Sequence, residues 1–409
     1  MRIIHTADLH LGQIIYQHYD RTAEHLHFFG QLTKWCSDIH PDALLVSGDI
    51  FDIQQPSATV RKNFTDWFVQ LHHKCPQMKI VLIAGNHDSA TRIQSDKAVW
   101  DLANTHLIGL SPSVERLMDA DGWQDDYIIR LNSGYIVALP YMNGERQELI
   151  QSILNRVAEE NKEGKPVVLM GHLAVAESDV TGHNFVGTIK MQDVSMMGNG
   201  YDYLALGHIH KPQTIGHQED SFKAEVTYPS PVVRYSGSVL HVSCDEAYPH
   251  SVSLVDIDRH GGTVSIQQLR VDELFHFYDL PLNGSSFTSP EEALDAVRQF
   301  VEEKERGYLR LRIDYGTYLP SNFNQLVYDE LAPYDERWRY NPKILWTGVP
   351  ECDGKEDRQL VFEVAELQQM TDPVEFIMKT KDQYPELDMD EVREAFEEVK
   401  REIRRMKEE

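Results

Sequence analysis

The chain lacks every cysteine pattern that would define a disulfide or zinc framework. Its four cysteines, Cys36, Cys75, Cys244 and Cys352, are scattered, and none forms a CxxC pair. They read as free thiols of a cytosolic protein. Apolar runs are short as well: none approaches the ~18 consecutive residues that mark a membrane span. The opening Met1-Arg2-Ile3-Ile4-His5 enters a strand at once, which predicts no signal peptide. Internal repeats and low-complexity segments are missing too. These absences leave a cytoplasmic globular protein with no membrane partner. At 409 residues it exceeds what one hydrophobic core usually serves, so two or more domains are expected.

Basic charge is also scarce. Lys and Arg number 39 against 65 Asp and Glu, a net of -26. A surface this acidic should repel nucleic acid unless its basic residues are concentrated, or unless metal ions and a partner supply positive charge. The excess is uneven. Residues 351–409 hold 19 acidic and 10 basic side chains, a net of -9, on a tail that need not approach a substrate.

What the chain does have is five short motifs in a fixed order. They are Asp8-Leu9-His10, Gly48-Asp49-Ile50-Phe51-Asp52, Gly85-Asn86-His87-Asp88, Gly171-His172 and Gly207-His208-Ile209-His210. Each follows an apolar run rich in Val, Ile and Leu: 2–7, 43–47, 79–84, 167–170 and 203–206. Such runs read as buried strands. Between several of them lie helical patterns, one through Leu26, Phe29, Leu32, Trp35 and Ile39. Another runs through Val60, Phe64, Trp67, Phe68 and Leu71, with Ser57 placed to cap it. The alternation predicts α/β layering. A β-rich stretch follows at 227–270.

Near residue 270 the texture changes. Ser289-Pro290-Glu291-Glu292 combines an N-cap, an N1 proline and an N3 glutamate. Residues 308–314 alternate strictly, as a half-buried strand should. A second helix is expected around 322–332 and a strand around 342–347, making a small α+β unit. The end is helical. Val392, Phe396, Val399, Ile403 and Met406 form a heptad stripe, which packs on its own protein or docks on another helix.

The motifs carry chemistry as a set. Carboxylate suits any hard divalent ion, while Mn²⁺, Fe²⁺ and Zn²⁺ also accept imidazole. Two ions about 4 Å apart need a shared carboxylate. Asp8, His10, Asp49, Asn86, His172, His208 and His210 suffice for two, with Asp49 the natural bridge. Strand ends open onto the crevice of an α/β sheet and hold ligands tightly. The glycines before the ligand residues allow close backbone approach. His87 is left free to stabilise pentavalent phosphorus or protonate a leaving oxygen. Asp52 or Asp88 could orient it and raise its pKa.

This set resembles the calcineurin-like metallophosphoesterases. Four finer features are similar to a DNA-nuclease branch whose members work with an SbcC-type coiled-coil ATPase. They are residues 5–12 (His5-Thr6-Ala7-Asp8-Leu9-His10-Leu11-Gly12), 47–52, 202–213 and Tyr235-Ser236-Gly237-Ser238. The likeness spans nearly the whole chain. It implies a four-layer α/β/β/α sandwich over 1–270, an α+β cap for DNA recognition over 271–350, and a linker with C-terminal helices over 351–409. The last would dock on the ATPase. It further implies two Mn²⁺ ions, one held by Asp8, His10, Asp49 and His210, the other by Asp49, Asn86, His172 and His208. His87 would serve the transition state.

The implied activity is 3′→5′ exonuclease on double-stranded DNA and endonuclease on single strands or hairpins, in repair and recombination. A homodimer through helices of the nuclease domain is also implied, with Trp67 and Phe68 of the 57–73 pattern as candidate contacts. Lys190, Lys211, Arg234, Arg310 and Arg312 are candidate phosphate binders. The alternative is a phosphoesterase acting on nucleotides or phosphoproteins, against which the cap and tail argue. A scaffold that has lost its metals is opposed by the intact ligand set.

Overall fold

A computed structural model of the protein describes residues 1–16, 18–112, 122–142, 147–182, 191–217 and 225–348, all within one of two compact units. The heptad stripe and the rest of 351–409, together with Lys190, lie outside the described residues.

The apolar runs do form strands, in two sheets. The first has seven strands in the order Val226–Pro229, Thr263–Arg270, Ser251–Ile257, Arg2–Thr6, Ala43–Ser47, Lys79–Ile83 and Thr105–Ile108. The last four run parallel, so the C-terminal ends of three motif-bearing strands lie side by side. The second has six, in the order Gln213–Thr214, Val232–Tyr235, Tyr203–Gly207, Val167–His172, Tyr135–Ala138 and Ile128–Arg130. Its two motif strands are also parallel, pairing Gly207 with His172.

The sheets pack face to face. Ser47 Oγ donates to the Ala205 carbonyl at 3.0 Å, and His5 Nδ1 lies 2.8 Å from the Tyr203 hydroxyl. Helices Thr22–Ile39 and Ala58–Lys74 cover the outer face of the first sheet, packing Phe28, Leu32, Phe64, Phe68 and Leu71 with Leu44, Val46, Ile80 and Leu82. Helix Gln147–Glu160 contacts strand Tyr135–Ala138 of the second sheet and buries Ile150, Ile153, Leu154 and Val157. The result is the α/β/β/α sandwich that the resemblance implies. Ser57 caps its helix as its sequence position predicts, its side chain accepting from the Val60 amide.

One expectation about that helix fails. Trp67 and Phe68 are core residues, not surface contacts. The Trp67 ring stacks on Phe29 at 4.0 Å, and its Nε1 donates to Thr33 Oγ1 at 2.8 Å. The pair belongs to the stripe that packs on the sheet, so it is unavailable to a second protomer.

Residues 277–347 form a smaller α+β layer. Strands Phe277–Leu280, Gly307–Asp314 and Trp338–Tyr340 run parallel, with Leu345–Thr347 also on Gly307–Asp314. Parallel neighbours need crossovers, supplied by helices Pro290–Glu303 and Phe323–Leu331. Ser289 caps the first, accepting from the Glu292 amide at 3.1 Å. Leu280, Val297, Phe300, Leu309, Leu311, Val327 and Trp338 make a separate core. The 307–314 strand alternates as its pattern predicts but is not half-solvated. Its second face is covered, and Tyr308 and Arg310 reach Glu24 and Asp245 of the sandwich.

Candidate metal centre

The five motifs meet at one end of the sandwich. Asp8 and Asp49 follow adjacent strands of the first sheet, and the Asp8 and His10 amides donate to the Gly48 and Asp49 carbonyls at 3.1 and 3.0 Å. From the second sheet, the His208 amide donates to the Asp8 carboxylate at 3.0 Å. The backbone is strained here. Asp8, His10, Asp49 and His208 all have positive φ, from 45° to 96°, a region non-glycine residues seldom occupy. Four such residues in one cluster indicate a site whose geometry the surrounding fold enforces.

Two glycines have steric reasons to be there. Gly48 has φ +86°, and a Cβ on it would overlap His172 Nδ1; a Cβ on Gly85 would overlap Asp49 Oδ1. A larger residue at either position would push a strand-end side chain out of the cluster.

Among the motif residues, three groups of side chains converge closely enough to share a cation: Asp8, His10 and His210; His10, Asp49 and His87; Asp49, His172 and His208; a fourth, His241, His250 and Glu273, lies outside the motifs. Asn86 joins the third, its Oδ1 lying 2.9 Å from both His172 Nε2 and His208 Nδ1. His172 Nε2 is also 3.3 Å from Asp49 Oδ2. The first and third groups are made of residues from the two expected ligand sets, and Asp49 lies near the first as well: its Oδ2 is 3.9 Å from His10 Nε2.

The electrostatics call for a cation. Burial pushes the Asp8 carboxyl up to about 7. Burial would raise Asp49 too, but His172 and His10 beside it hold it well below the usual carboxylate range. Burial opposes charge on the His10 and His172 rings as well, yet the neighbouring carboxylates outweigh it and push each up to about 9. Buried carboxylates here bind positive charge, as protons or as metal. His10 Nε2 is buried without a hydrogen-bond partner, a free donor atom facing the cluster. The residues therefore fit a divalent cation.

The outer nitrogens of His172 and His210 are held by main chain and by carboxylate respectively, the arrangement that orients metal-binding histidines. His172 Nδ1 is 2.8 Å from the Ser47 carbonyl. His10 Nδ1 is 3.2 Å from Asp52 Oδ1. His210 Nδ1 is 2.8 Å from Glu246 Oε1. Sequence reasoning missed Glu246, which lies in coil 36 residues beyond His210 and belongs to no motif.

His87 stands at the exposed rim, its ring 5.0 Å from that of His10. Its amide donates to Asp49 Oδ1 at 2.9 Å. The sequence left open whether the carboxylate of Asp52 or Asp88 orients the ring. The contact belongs to the main-chain oxygen of Asp52, 2.8 Å from His87 Nδ1. The Asp52 carboxylate faces His10 instead. Asp88 is buried and accepts from the Ile50, Phe51 and Gly85 amides at 2.8–3.0 Å, tying two motif loops together.

Two candidate phosphate binders are committed elsewhere. Arg234 is fully buried and donates to Ser253 and Thr214 between the sheets. Arg310 is clamped by Asp279 and Asp245. Lys211 pairs with Asp179, and Arg312 is 3.5 Å from Asp279.

An α/β sandwich whose strand ends carry this cradle is a metal-dependent phosphoesterase. A family model described as calcineurin-like phosphoesterase matches residues 1–212, and the chain belongs to that family. Among curated proteins, it is similar to the D component of the nuclease SbcCD of Escherichia coli (strain K12), 27% identical over 293 residues, covering 66% of this chain and 68% of that one. The protein of the same name from Rhodobacter capsulatus is 28% identical over 353 residues, covering 77% and 81%. That from Bacillus subtilis is 27% identical over 271 residues, covering 63% and 66%. Among solved structures, a dimetal phosphatase from Danio rerio aligns with TM-score 0.37 at 10% identity, covering 67% of this chain and 99% of that one. That likeness is too distant to bear on the site. Among the described residues, no helix is long and apolar enough to cross a membrane.

Proposed function

We propose that the protein is a two-metal DNA nuclease that hydrolyses phosphodiesters with Mn²⁺. It acts as a 3′→5′ exonuclease on duplex DNA and an endonuclease on single strands and hairpins, as a homodimer working with an SbcC-type ATPase in DNA repair and recombination. The carrying observation is the convergence of Asp8, His10 and His210 on one side and Asp49, His172 and His208 on the other, with His87 beside His10 and Asp49 at the exposed rim. Support for the substrate and partner comes from relatives named as components of the nuclease SbcCD, and from a cap and tail that a simple phosphatase does not need.

Asp8, His10, Asp49 and His210 would hold one ion, and Asp49, Asn86, His172 and His208 the other. Bound there, the metal supplies Lewis-acid charge that lowers the pKa of a water and offsets charge on the phosphoryl oxygens. His87 has Nε2 left for a substrate, because Nδ1 lies 2.8 Å from the Asp52 carbonyl. From that position it can hold a proton against the pentavalent phosphorus or give one to the departing 3′-oxygen. Asp88 and Asp52 keep the loops and His10 in place and touch no substrate.

The test is one assay of the purified protein, alone and with its ATPase, on hairpin DNA and on p-nitrophenyl phosphate esters with Mn²⁺. Metal-dependent cleavage of DNA supports the reading. Rapid monoester turnover with no nicking of any DNA would replace it with a small-substrate phosphatase.

A further inference from the structure

We infer that Glu246 is a positioning residue for the metal centre: it fixes which nitrogen of His210 faces the metal and holds the ring there. The inference rests on the proposed ligand role of His210 and adds a residue that no motif contains.

His210 Nδ1 lies 2.8 Å from Glu246 Oε1. A carboxylate at that distance accepts the Nδ1 proton, which makes Nε2 the nitrogen that would face a metal held with Asp8 and His10. Glu246 is itself held. Its second oxygen accepts from the Val242 amide at 3.0 Å and faces His250 Nε2 at 3.6 Å, and its own amide donates to the Ser243 carbonyl. The carboxylate is 1% exposed, so no water competes for His210. The same loop grips the ligand from its main-chain side, since the Ser238 amide donates to the His210 carbonyl at 3.0 Å. A Cβ on Gly237 would overlap that carbonyl and Pro212, so the loop can lie this close only through a glycine.

The arrangement differs from those of the other outer nitrogens. His172 leans on main chain that a side-chain change cannot remove. The Asp52 carboxylate near His10 is partly exposed. Only the His210–Glu246 pair, among these, combines a direct bond with a fully buried carboxylate.

The test reads metal uptake, not turnover. Mn²⁺ is titrated into wild type, Glu246→Gln, Glu246→Ala and His210→Ala, following free ion by electron paramagnetic resonance, with thermal melts as the folding control. Wild type should bind two ions, and His210→Ala should lose the tighter stoichiometry to one. Glu246→Ala should weaken one of the two sites by about 10- to 100-fold, the range for second-layer partners of metal-bound histidines. Glu246→Gln keeps the size and an accepting oxygen, so it should fall between. Its residual activity should show reduced kcat at saturating DNA that rises with added Mn²⁺, with KM for DNA unchanged. Folded Glu246→Gln and Glu246→Ala proteins that bind both ions with wild-type affinity, while His210→Ala does not, overturn the inference and leave the metal centre standing. A wild type that takes up no second ion overturns both.

Discussion

The Tyr308 hydroxyl of the cap donates to the Glu24 carboxylate, on the first helix of the sandwich, at 2.7 Å. Glu24 also accepts from Arg21 at 2.6 Å and from Arg339 at 2.9 Å, and all four side chains are buried. One carboxylate thus bonds to two guanidiniums from opposite sides of the seam. Arg339 lies over the Phe275 ring at 4.2 Å, and Arg21 reaches on to the His241 carbonyl in the loop that carries Glu246. Removing the carboxylate leaves two buried cations with one charged partner fewer. Glu24→Gln should therefore destabilise the protein by about 3 kcal/mol or more, read as a lower denaturant midpoint. A loss below about 1 kcal/mol would mean that the network is solvated.

The same residue gives a pH signature. Burial works to raise the Glu24 pKa, but the Arg21 charge and the bonds from Arg21, Tyr308 and Arg339 outweigh it, so it lies below the ordinary 4.5. A carboxyl depressed in the folded state stabilises above its unfolded pKa, and that contribution is lost as pH falls through the folded value. The stability gap between wild type and Glu24→Gln should be full near neutral pH and shrink below 4.5. Urea titrations of both proteins across the acid range measure it. A gap that stays constant into acid rules out the charge as its cause.

His87→Gln separates catalysis from binding. The ring lies at the exposed rim, its own amide donates to Asp49, and neither expected ligand set includes its imidazole. The substitution should leave Mn²⁺ uptake near wild type while DNA cleavage falls about 10²- to 10⁴-fold, the usual contribution of a positioned acid. Metal lost in parallel with activity would reassign His87 as a ligand.

The parts of this site that were legible in the sequence are those tied to regular structure. Asp8, Asp49, Asn86, His172 and His208 could be placed because each ends or follows a short apolar strand, and a parallel sheet aligns such ends. The caps at Ser57 and Ser289 were legible because capping is local chemistry. Glu246 was not, since a coil residue 36 positions away carries no periodicity. The Asp52 contact to His87 was misread because a sequence displays side chains, whereas the bond is made by main chain. Trp67 and Phe68 could be assigned to a helix face, but not to which neighbour that face meets. The burial of Tyr308 and Arg310 was hidden for a similar reason: alternation marks two faces and does not say that both are covered.

Close packing at Gly85 makes a sharper test of the shared carboxylate. Gly85 Cα is within contact of the Asp49 side chain, and a methyl there would overlap Oδ1. Gly85→Ala adds no charge and needs no unusual backbone angle, but its methyl would also overlap the Asp49 backbone nitrogen, so the strand end must shift together with the carboxylate, and a thermal melt serves as the folding control. Because Asp49 would serve both ions, binding of both should weaken together by about tenfold or more. Calorimetric titration with Mn²⁺ checks it. Loss of one ion with the other retained would show that Asp49 does not bridge.

The proposed ATPase contact can be tested without disturbing the site. The ligand groups lie within 1–212, and the cap closes its own core by residue 340 with Val327, Leu331, Trp338 and Tyr340. The heptad stripe at 392–406 lies outside the described residues, in a stretch of sequence that is net acidic. Truncation after about residue 370 should leave the melting temperature and basal Mn²⁺-dependent cleavage of hairpin DNA unchanged. Binding to the coiled-coil ATPase should be lost, as should any stimulation of cleavage by ATP. Single replacement of Phe396 or Ile403 by Asp, which puts a charge in the stripe, should weaken binding in the full-length chain. Unchanged partner affinity in the truncated protein would remove the docking role and return the stripe to packing on its own chain.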